Sequence, residues 1–137
     1  MSLFVDTSAF YATADSSDSH HSRAARIITA GERLVATDHV LVECCLLIAR
    51  RAGQRAADRF WGSLRDGRTR IEPVLRGDLD NAWRIGEEFA DQEFSLVDRT
   101  SFAVMERLGI TRVASFDNHF AVYRFGPRRS RAFEVIS

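Results

Sequence analysis

The chain of 137 residues contains no lysine, because all 19 of its basic residues are arginine. This absence excludes every mechanism that depends on a lysine, such as Schiff-base formation. The 19 acidic residues balance the arginines to a net charge of zero. The chain therefore has no global positive field that would attract nucleic acid, and a nucleic-acid function requires a local basic patch.

Cysteine and long apolar runs are also scarce. The two cysteines, Cys44 and Cys45, are adjacent, so we expect reduced core residues and no disulfide between them. The longest apolar stretch, 40–49, contains Glu43 and is too short to cross a membrane. The N-terminus lacks the basic and apolar segments of a signal peptide. These absences predict a soluble cytoplasmic protein.

The residues that are present predict a single globular domain over 1–137, because 45% of the chain is hydrophobic. Short apolar segments bounded by polar clusters predict strands at 3–5, 34–36, 70–74, 112–115 and 132–136. Helices are predicted between them, chiefly at 8–13, 38–51, 54–64 and 97–108, and from Asp78 onward. This alternation favours an α/β fold with a mainly parallel central sheet.

Two aspartates directly follow predicted strands. Asp6 follows the first strand, and Asp117 follows the strand at 112–115. Ligands of open α/β sheets bind beyond the carboxyl ends of the strands, so both carboxylates are candidates for a functional crevice. Each also has a purely local interpretation, because aspartate is a favoured N-cap and Asp-Asn pairs favour turns.

Two further carboxylates lie in predicted helices. Glu43 is the only charged residue near the centre of HVLVECCLLIA, whose apolar residues predict a helix buried on most sides. A carboxylate buried there must be paired, hydrogen-bonded or metal-bound. The alternative is a narrow polar stripe with His39 and Arg50. Asp98 completes a capping-box pattern with Ser95, and alone it favours the cap over a catalytic role.

The four carboxylates are more informative as a set. A parallel sheet brings the elements that carry Asp6, Glu43, Asp98 and Asp117 to one edge. Clustered carboxylates repel one another unless a cation neutralises them. Oxygen ligands suit Mg²⁺ or Mn²⁺, so the sequence predicts a divalent-metal site.

Four segments in order, FVDTSA, TDHVLVECCLLI, SLVDRTSFAVMERLGI and VASFDNHFA, resemble the PIN-domain ribonucleases, and among them the VapC-type toxins of bacterial toxin–antitoxin pairs. The resemblance covers essentially the whole chain. It implies a PIN-like three-layer α/β/α fold and Mg²⁺- or Mn²⁺-dependent endoribonuclease activity. It also implies inhibition by a small antitoxin protein, in a homodimer or an antitoxin-bound hetero-oligomer.

The resemblance also implies roles for individual residues. The four family acids are matched by Asp6, Glu43, Asp98 and Asp117. Asp6 and Asp98 are expected to bind the metal most directly, and the other two complete the site directly or through water. Positions that are usually polar around the pocket are matched by Thr7, Ser8, Ser115 and Asn118. Arg99 is a candidate partner for a carboxylate or a phosphate.

Histidine ligands are not expected, because His20, His21 and His119 lack partners at the tight spacing that such sites need. We expect them to lie on the surface, with His119 near RNA. The single basic cluster has two interpretations, an RNA-binding patch or a solvated tail. It comprises Arg124, Arg128, Arg129 and Arg131.

Other function classes fit less well. A phosphorelay receiver requires a late lysine, which the chain lacks, and a DxD phosphohydrolase requires an aspartate where Ser8 stands. A catalytically silent PIN-like module that binds RNA or a protein stays open, as does a housekeeping RNA-processing nuclease. Metal-dependent turnover distinguishes an enzyme from the silent module, and a neighbouring antitoxin gene favours the toxin.

Overall fold

A computed structural model describes residues 1–137. The strands are β1 (Ser2–Val5), β2 (Arg33–Thr37), β3 (Arg70–Glu72), β4 (Arg112–Ala114) and β5 (Glu134–Ile136). The helices are α1 (Thr7–Ala14), α2 (His21–Ile28), α3 (Asp38–Ala52), α4 (Gln54–Asp66), α5 (Arg76–Glu88), α6 (Leu96–Leu108) and α7 (His119–Val122). A 3-10 turn covers Pro127–Arg129.

The five strands form one sheet in the order β3-β2-β1-β4-β5, and every neighbouring pair is parallel. In the centre, Leu3 lies opposite Leu34 of β2, and Phe4 lies opposite Val113 of β4. Crossovers between parallel strands are right-handed. This handedness puts α1–α4 on one face of the sheet and α5–α7 on the other. The predicted three-layer α/β fold is therefore confirmed.

The direction of the crossovers reverses beside β1. The chain moves from β1 outward through β2 to β3, and then returns to β4 on the opposite side of β1. In open α/β sheets, such a switch point opens a crevice at the carboxyl ends of the two central strands. The segments that follow β1 and β4 meet at this crevice, and they carry Asp6 and Asp117.

The core explains the central position of β1 and the presence of α7. Leu3, Phe4 and Val5 are fully buried, because helices cover a parallel sheet on both faces and its strands are continuously apolar. On the α6 face, Phe102 stacks on Tyr123 with ring centroids 4.3 Å apart and meets Phe120 edge-on at 5.0 Å. Burying each large ring contributes about 1.5–3 kcal/mol, which holds the short α7 that the sequence did not predict.

Two predicted boundaries shift for local reasons. Helix α5 begins at Arg76 and not at Asp78, because the Asp78 carboxylate reaches back to accept the backbone N–H of Leu75 at 2.8 Å. Strand β3 ends at Glu72, before the predicted limit, because the Val74 N–H donates to the Asp38 carboxylate at 3.0 Å and leaves the sheet.

The predicted environment of α3 was wrong. The apolar residues around Glu43 indicated a helix buried on most sides, but Val42 and Leu46 are 56% and 65% exposed. One stripe alone faces the core, and it comprises Val40, Cys44 and Ile48. Helix α3 therefore carries an apolar face that the chain itself does not cover.

Both cysteines are free thiols. Burial is the main cause that raises the pKa of the Cys44 thiol far above its usual range, so this group packs as a small apolar residue. No helix combines the length and the apolar character that crossing a membrane requires.

Candidate active site

Asp6 lies at the carboxyl end of β1, inside the crevice. Its backbone N–H donates to the carbonyl of Ala114 at 3.0 Å, which extends the pairing of β1 and β4 up to this residue. Asp6 is the N-cap of α1, yet its side chain makes no capping hydrogen bond. The carboxylate is only 4% exposed. It therefore sits in the crevice without the local capping role that the sequence left open.

Burial is the largest influence on the Asp6 carboxyl and raises its pKa from 3.8 to about 6. The hydroxyls of Ser115 and Ser8 donate to Oδ2 at 2.9 and 3.0 Å, which partly offsets the shift. The negative charge of Asp98 raises the pKa further. At neutral pH, Asp6 thus holds a buried negative charge that the protein neutralises only in part, which favours a bound cation.

Two serine hydroxyls join the chain after β1 to the chain after β4. Ser8 Oγ accepts the backbone N–H of Phe116 at 2.9 Å, and Ser115 Oγ accepts the N–H of Asp117 at 3.1 Å. Both hydroxyls also donate to Asp6. The position of Asp117 relative to Asp6 is therefore fixed by Ser8 and Ser115, which the family resemblance matched to positions that are usually polar around the pocket.

Asp98 takes part in two arrangements at once. Its Oδ2 accepts the Ser95 N–H at 3.0 Å, and its own N–H donates to Ser95 Oγ at 3.1 Å, so the capping box of α6 is present. The same Oδ2 lies 2.6 Å from Nδ1 of His119. The local interpretation of Asp98 and the site interpretation are thus compatible, because the cap orients the carboxylate toward the crevice.

His119 connects Asp98 to Asp117. Its Nδ1 lies 3.3 Å from Asp117 Oδ1, which also accepts the His119 backbone N–H at 2.7 Å. Ligand atoms of these three side chains all lie within 4.8 Å of one another, close enough to share one metal ion. The expectation that His119 lacks carboxylate partners was wrong. A helix that starts just after Asp117 turns the ring back onto it, and the sequence analysis missed this helix.

Glu43 does not belong to this three-residue cluster. It lines an adjoining cavity together with Thr7 and His39, and its carboxylate is half-buried. Thr7 is 7% exposed, and its hydroxyl is buried without a hydrogen-bond partner. The structure therefore gathers Asp6, Asp98 and Asp117 at the crevice and leaves Glu43 in the wall beside them.

Two predicted pocket residues make other contacts. Arg99 donates from Nε to the carbonyl of Phe94 at 2.9 Å, and its guanidinium fills the space against Gly86 of α5, where a Cβ would clash with it. Asn118 is exposed, and its contribution is its backbone carbonyl, which accepts two N–H groups of α7 at 3.1 Å. Arg99 therefore holds α6 against α5, away from the carboxylates.

An aromatic stack borders the segment between Ser115 and Asp117. The ring of His20 stacks on Phe116 with centroids 4.4 Å apart, and the Arg23 guanidinium lies 5.5 Å from the same ring. This stack was not predictable from the sequence, because the loop before α2 and the loop after β4 are distant in the chain. The stack places aromatic and basic groups next to the acidic crevice.

The predicted basic cluster lies elsewhere. Arg124 donates to the carbonyl of Ala121 at 2.6 Å, and Arg129 lies over the ring of Phe89 at 4.5 Å and pairs with Glu88 at 3.6 Å. Both arginines line a cavity between α5 and α6 that includes none of the four predicted site acids. Much of this positive charge is thus engaged within the protein.

The sequence of this chain is similar to a known protein family and to two ribonucleases. The family model described as PIN domain matches residues 3–126. The chain is 36% identical over 124 residues to the 23S rRNA-specific endonuclease VapC20 of Mycobacterium tuberculosis, covering 90% of this chain and 95% of that protein. It is 25% identical over 136 residues to Ribonuclease VapC26 of the same organism, covering 98% and 99% respectively.

Solved structures of other proteins have a similar fold. The crystal structure of M. tuberculosis VapC20, described as a Sarcin-Ricin loop cleaving toxin, superposes with a TM-score of 0.82 at 34% identity, over 87% of this chain and 92% of that one. VapBC2 from Rickettsia felis, bound to a promoter DNA fragment, matches with a TM-score of 0.69 at 9% identity, over 98% and 97%, and supports the fold alone. The chain belongs to the PIN-domain family and, within it, to the VapC proteins.

Proposed function

We propose that this protein is a metal-dependent endoribonuclease, the toxin of a VapBC-type pair, that hydrolyses RNA phosphodiester bonds at the crevice. The observation that carries the proposal is the buried carboxylate of Asp6, placed near Asp98 and tied through Ser115 to Asp117. Burial disfavours the charge of Asp6, and two further acids lie beside it, which is costly to the fold alone. A cation removes this cost and supplies a function.

The residues of the crevice fit a divalent ion. Asp6, Asp98 and Asp117 offer carboxylate oxygens, which Mg²⁺ and Mn²⁺ prefer. His119 touches two of these carboxylates, so it either supplies a nitrogen ligand or orients the oxygens from outside. When bound, the ion would lower the pKa of a water ligand and neutralise charge on the phosphorane-like transition state. Mg²⁺ or Mn²⁺ is therefore the proposed cofactor.

The chain's own residues have distinct roles in this proposal. Asp6 and Asp98 hold the ion most directly, and Asp117 and Glu43 complete the site directly or through water. Ser8 and Ser115 keep the Asp6 carboxylate oriented by donating to it. These hydrogen bonds favour the charged form of Asp6 against the effect of burial, so they keep it available as a ligand near neutral pH.

RNA would approach across the stack of His20, Phe116 and Arg23. A protein of zero net charge needs local basic and aromatic groups to hold a polyanion. Here such groups border the segment that carries Asp117. They satisfy this need better than the Arg124–Arg131 cluster, part of which is engaged with Glu88 and backbone carbonyls.

The substrate and partner proposals follow from the relatives. VapC20 is named as specific for 23S rRNA and as cleaving the sarcin–ricin loop, so we take that loop as the first substrate to test. VapC20 is described as a toxin, and the family resemblance implies inhibition by a small antitoxin, so we propose a small antitoxin as partner. The exposed apolar residues of α3, including Val42 and Leu46, offer surface for an inhibiting antitoxin in a hetero-oligomer, and the family resemblance also implies a homodimer.

The test is cleavage of total cellular RNA and of a sarcin–ricin hairpin by purified protein freed of antitoxin. Reactions contain Mg²⁺, Mn²⁺ or EDTA. Asp6→Asn is compared with wild type, and the exposed Asp91→Asn is the matched control. We expect discrete fragments with metal, from wild type and Asp91→Asn only.

The results of these reactions distinguish the nuclease from the silent binding module. Fragments from total RNA but not from the hairpin keep the nuclease and reject the proposed substrate. Equal cleavage by wild type and Asp6→Asn rejects the acidic site. A folded wild-type chain that binds metal and RNA but releases no fragments is the silent binding module.

A further inference from the structure

Beside the carboxylates lies a cavity of about 540 Å³ that shares only Glu43 with the proposed metal site. Its polar lining residues are Thr7, His39, Glu43 and Arg50, and its apolar walls include Leu46 and Val97. It adjoins the crevice, because Thr7 follows Asp6 and Val97 precedes Asp98 in the chain. Its volume is in the range typical of small-molecule sites, roughly 300–1,000 Å³.

Thr7, one of the residues that line the cavity, carries an unsatisfied hydroxyl. Thr7 is more than nine-tenths buried, and its Oγ1 has no hydrogen-bond partner in the protein. Leaving a buried hydroxyl unsatisfied costs roughly 1–3 kcal/mol. A ligand in the cavity that pairs with Thr7 recovers this cost.

His39 lines the same cavity and contacts Thr100 through one of its ring nitrogens. Its Nδ1 lies 3.1 Å from Thr100 Oγ1, and the Thr100 hydroxyl donates to the carbonyl of Leu96 at 3.0 Å. Since that hydroxyl donates its hydrogen to the Leu96 carbonyl, it can only accept a hydrogen bond from His39. This network assigns the imidazole hydrogen to Nδ1, and the neutral ring then carries its lone pair on Nε2.

The lining of the cavity matches the chemistry of a nucleotide. Leu46 and Val97 offer apolar surface for the face of a base or a sugar. Arg50 is exposed at the edge and suits a phosphate. The Nε2 lone pair of His39 suits a donor group, and the Thr7 hydroxyl can donate or accept. A purely apolar protein partner would leave these polar groups unsatisfied.

We propose that this cavity binds the nucleotide next to the scissile phosphate, and that His39 is a specificity-determining residue that accepts a hydrogen bond at Nε2 from a donor of that nucleotide. The proposal rests on the proposed nuclease function. Thr100 acts through His39 as a positioning residue, because it holds the tautomer that leaves Nε2 free to accept.

Two groups of the nucleotide can supply this donor, the ribose 2′-hydroxyl and an exocyclic amine of the base. Hairpin oligonucleotides distinguish them. In one series each nucleotide flanking the cleaved bond is made 2′-deoxy. In the other, the base loses its amine, with inosine in place of guanosine or purine riboside in place of adenosine.

The measurement is kcat/KM for each oligonucleotide with wild type and His39→Phe. Phenylalanine keeps the ring but removes the acceptor, and His21→Phe, whose Nδ1 contacts the Ala12 carbonyl, is the matched control. We expect one modification to lower kcat/KM of wild type and His21→Phe roughly 3- to 10-fold. The same modification should leave kcat/KM of His39→Phe unchanged, because the partner of the donor is already gone.

Thr100→Val separates hydrogen bonding from packing. Valine keeps the volume of Thr100 but releases the His39 tautomer, so Thr100→Val should lose part of the discrimination while still cleaving the unmodified hairpin. The proposal is overturned if Thr100→Val discriminates among the oligonucleotides as wild type does, and if every modification lowers kcat/KM equally in wild type and in His39→Phe.

Affinity for the same oligonucleotides, measured in EDTA by fluorescence anisotropy, distinguishes failure of this proposal from failure of the nuclease function. Binding that depends on His39 and on one donor, without cleavage in metal, keeps the cavity and rejects the nuclease. Cleavage that does not depend on His39 keeps the nuclease function and rejects the nucleotide-binding cavity. If His39→Phe instead alters only self-association in sedimentation experiments, the cavity is a protein interface and the proposal is wrong.

Discussion

The hydroxyl of Ser115 donates a 2.9 Å hydrogen bond to the carboxylate of Asp6, which lies 109 positions earlier in the chain. The same oxygen accepts the N–H of Asp117 at 3.1 Å. One hydroxyl therefore sets the geometry of two candidate ligands, and it can do so because β1 and β4 are neighbours in the sheet.

Ser115→Ala tests this link. A hydrogen bond to a charged group contributes about 1.5–3 kcal/mol, so we expect kcat/KM for RNA to fall by roughly 10- to 100-fold while the protein stays folded. Ser130→Ala, an exposed serine, is the control. Full activity in Ser115→Ala would mean that the Asp6 carboxylate is oriented by other groups.

Asp6→Asn tests the cost of the buried charge in metal-free protein. The folded-state pKa of about 6 lies above the ordinary 3.8, so between these values the folded chain binds more protons than the unfolded chain. Stability therefore falls as pH rises from 4 to 6. By pH 7 the loss reaches about 3 kcal/mol, and Asp6→Asn should recover about 1–3 kcal/mol of it.

Urea unfolding in EDTA between pH 4 and 7.5 measures this effect. The gap between the two proteins should narrow toward pH 4, where both side chains are uncharged. Saturating Mn²⁺ should stabilise wild type and not Asp6→Asn, because only wild type gains from binding the ion. A constant gap across the pH range would contradict the raised pKa of Asp6.

His119→Gln tests the contact of His119 with both Asp98 and Asp117. Whether His119 is a ligand or orients the ligands, its loss should weaken metal affinity by about 10- to 100-fold. Calorimetric titration with Mn²⁺ measures this directly, without reference to RNA. His21→Gln, which removes a ring whose Nδ1 contacts the Ala12 carbonyl and none of the carboxylates, should bind Mn²⁺ like wild type. Equal Mn²⁺ affinities in wild type, His119→Gln and His21→Gln would mean that His119 only packs against the carboxylates and does not support metal binding.

Arg107→Met tests a feature of stability that is separate from the site. Arg107 donates from Nε and Nη2 to the buried Asp78 carboxylate, both at 2.9 Å. Burial is the largest influence and would raise the pKa of Asp78. The hydrogen bonds from Arg107 and from the Leu75 N–H, together with the charge of Arg107, outweigh it and hold the pKa below its usual value. Because Arg107 is partly exposed, we expect a loss of about 2–3 kcal/mol.

The pH dependence of Arg107→Met has a definite sign. With a depressed folded-state pKa, Asp78 stabilises the fold above its ordinary pKa, and this contribution is lost as pH falls through the folded value. Denaturant unfolding from pH 7 down to pH 3 should therefore show the two proteins converging. Arg84→Met, on the exposed face of α5, should stay close to wild type throughout.

Local signals in the sequence were enough for most of the elements and for the placement of two acids directly after strands. Continuous apolar residues at 3–5 required a strand covered on both faces, and the Ser95–Asp98 pattern required a helix start, because both depend on neighbours in the chain. The positions of Asp6 and Asp117 after strands followed from the same reasoning. The exposure of one face of α3 could not be predicted in this way, since apolar periodicity does not distinguish a core face from an uncovered surface.

The sequence by itself thus determined the α/β alternation, the capping box of Asp98 and the positions of Asp6 and Asp117 after strands. Only the tertiary structure decided which groups meet: His119 on Asp98, Ser115 on Asp6, His39 on Thr100, and Arg99 turned toward Gly86. The physical reason is that a helix start or a buried strand is encoded by adjacent residues. Contacts across the switch point instead depend on strand order and side-chain rotamers, which the packing of the whole chain sets.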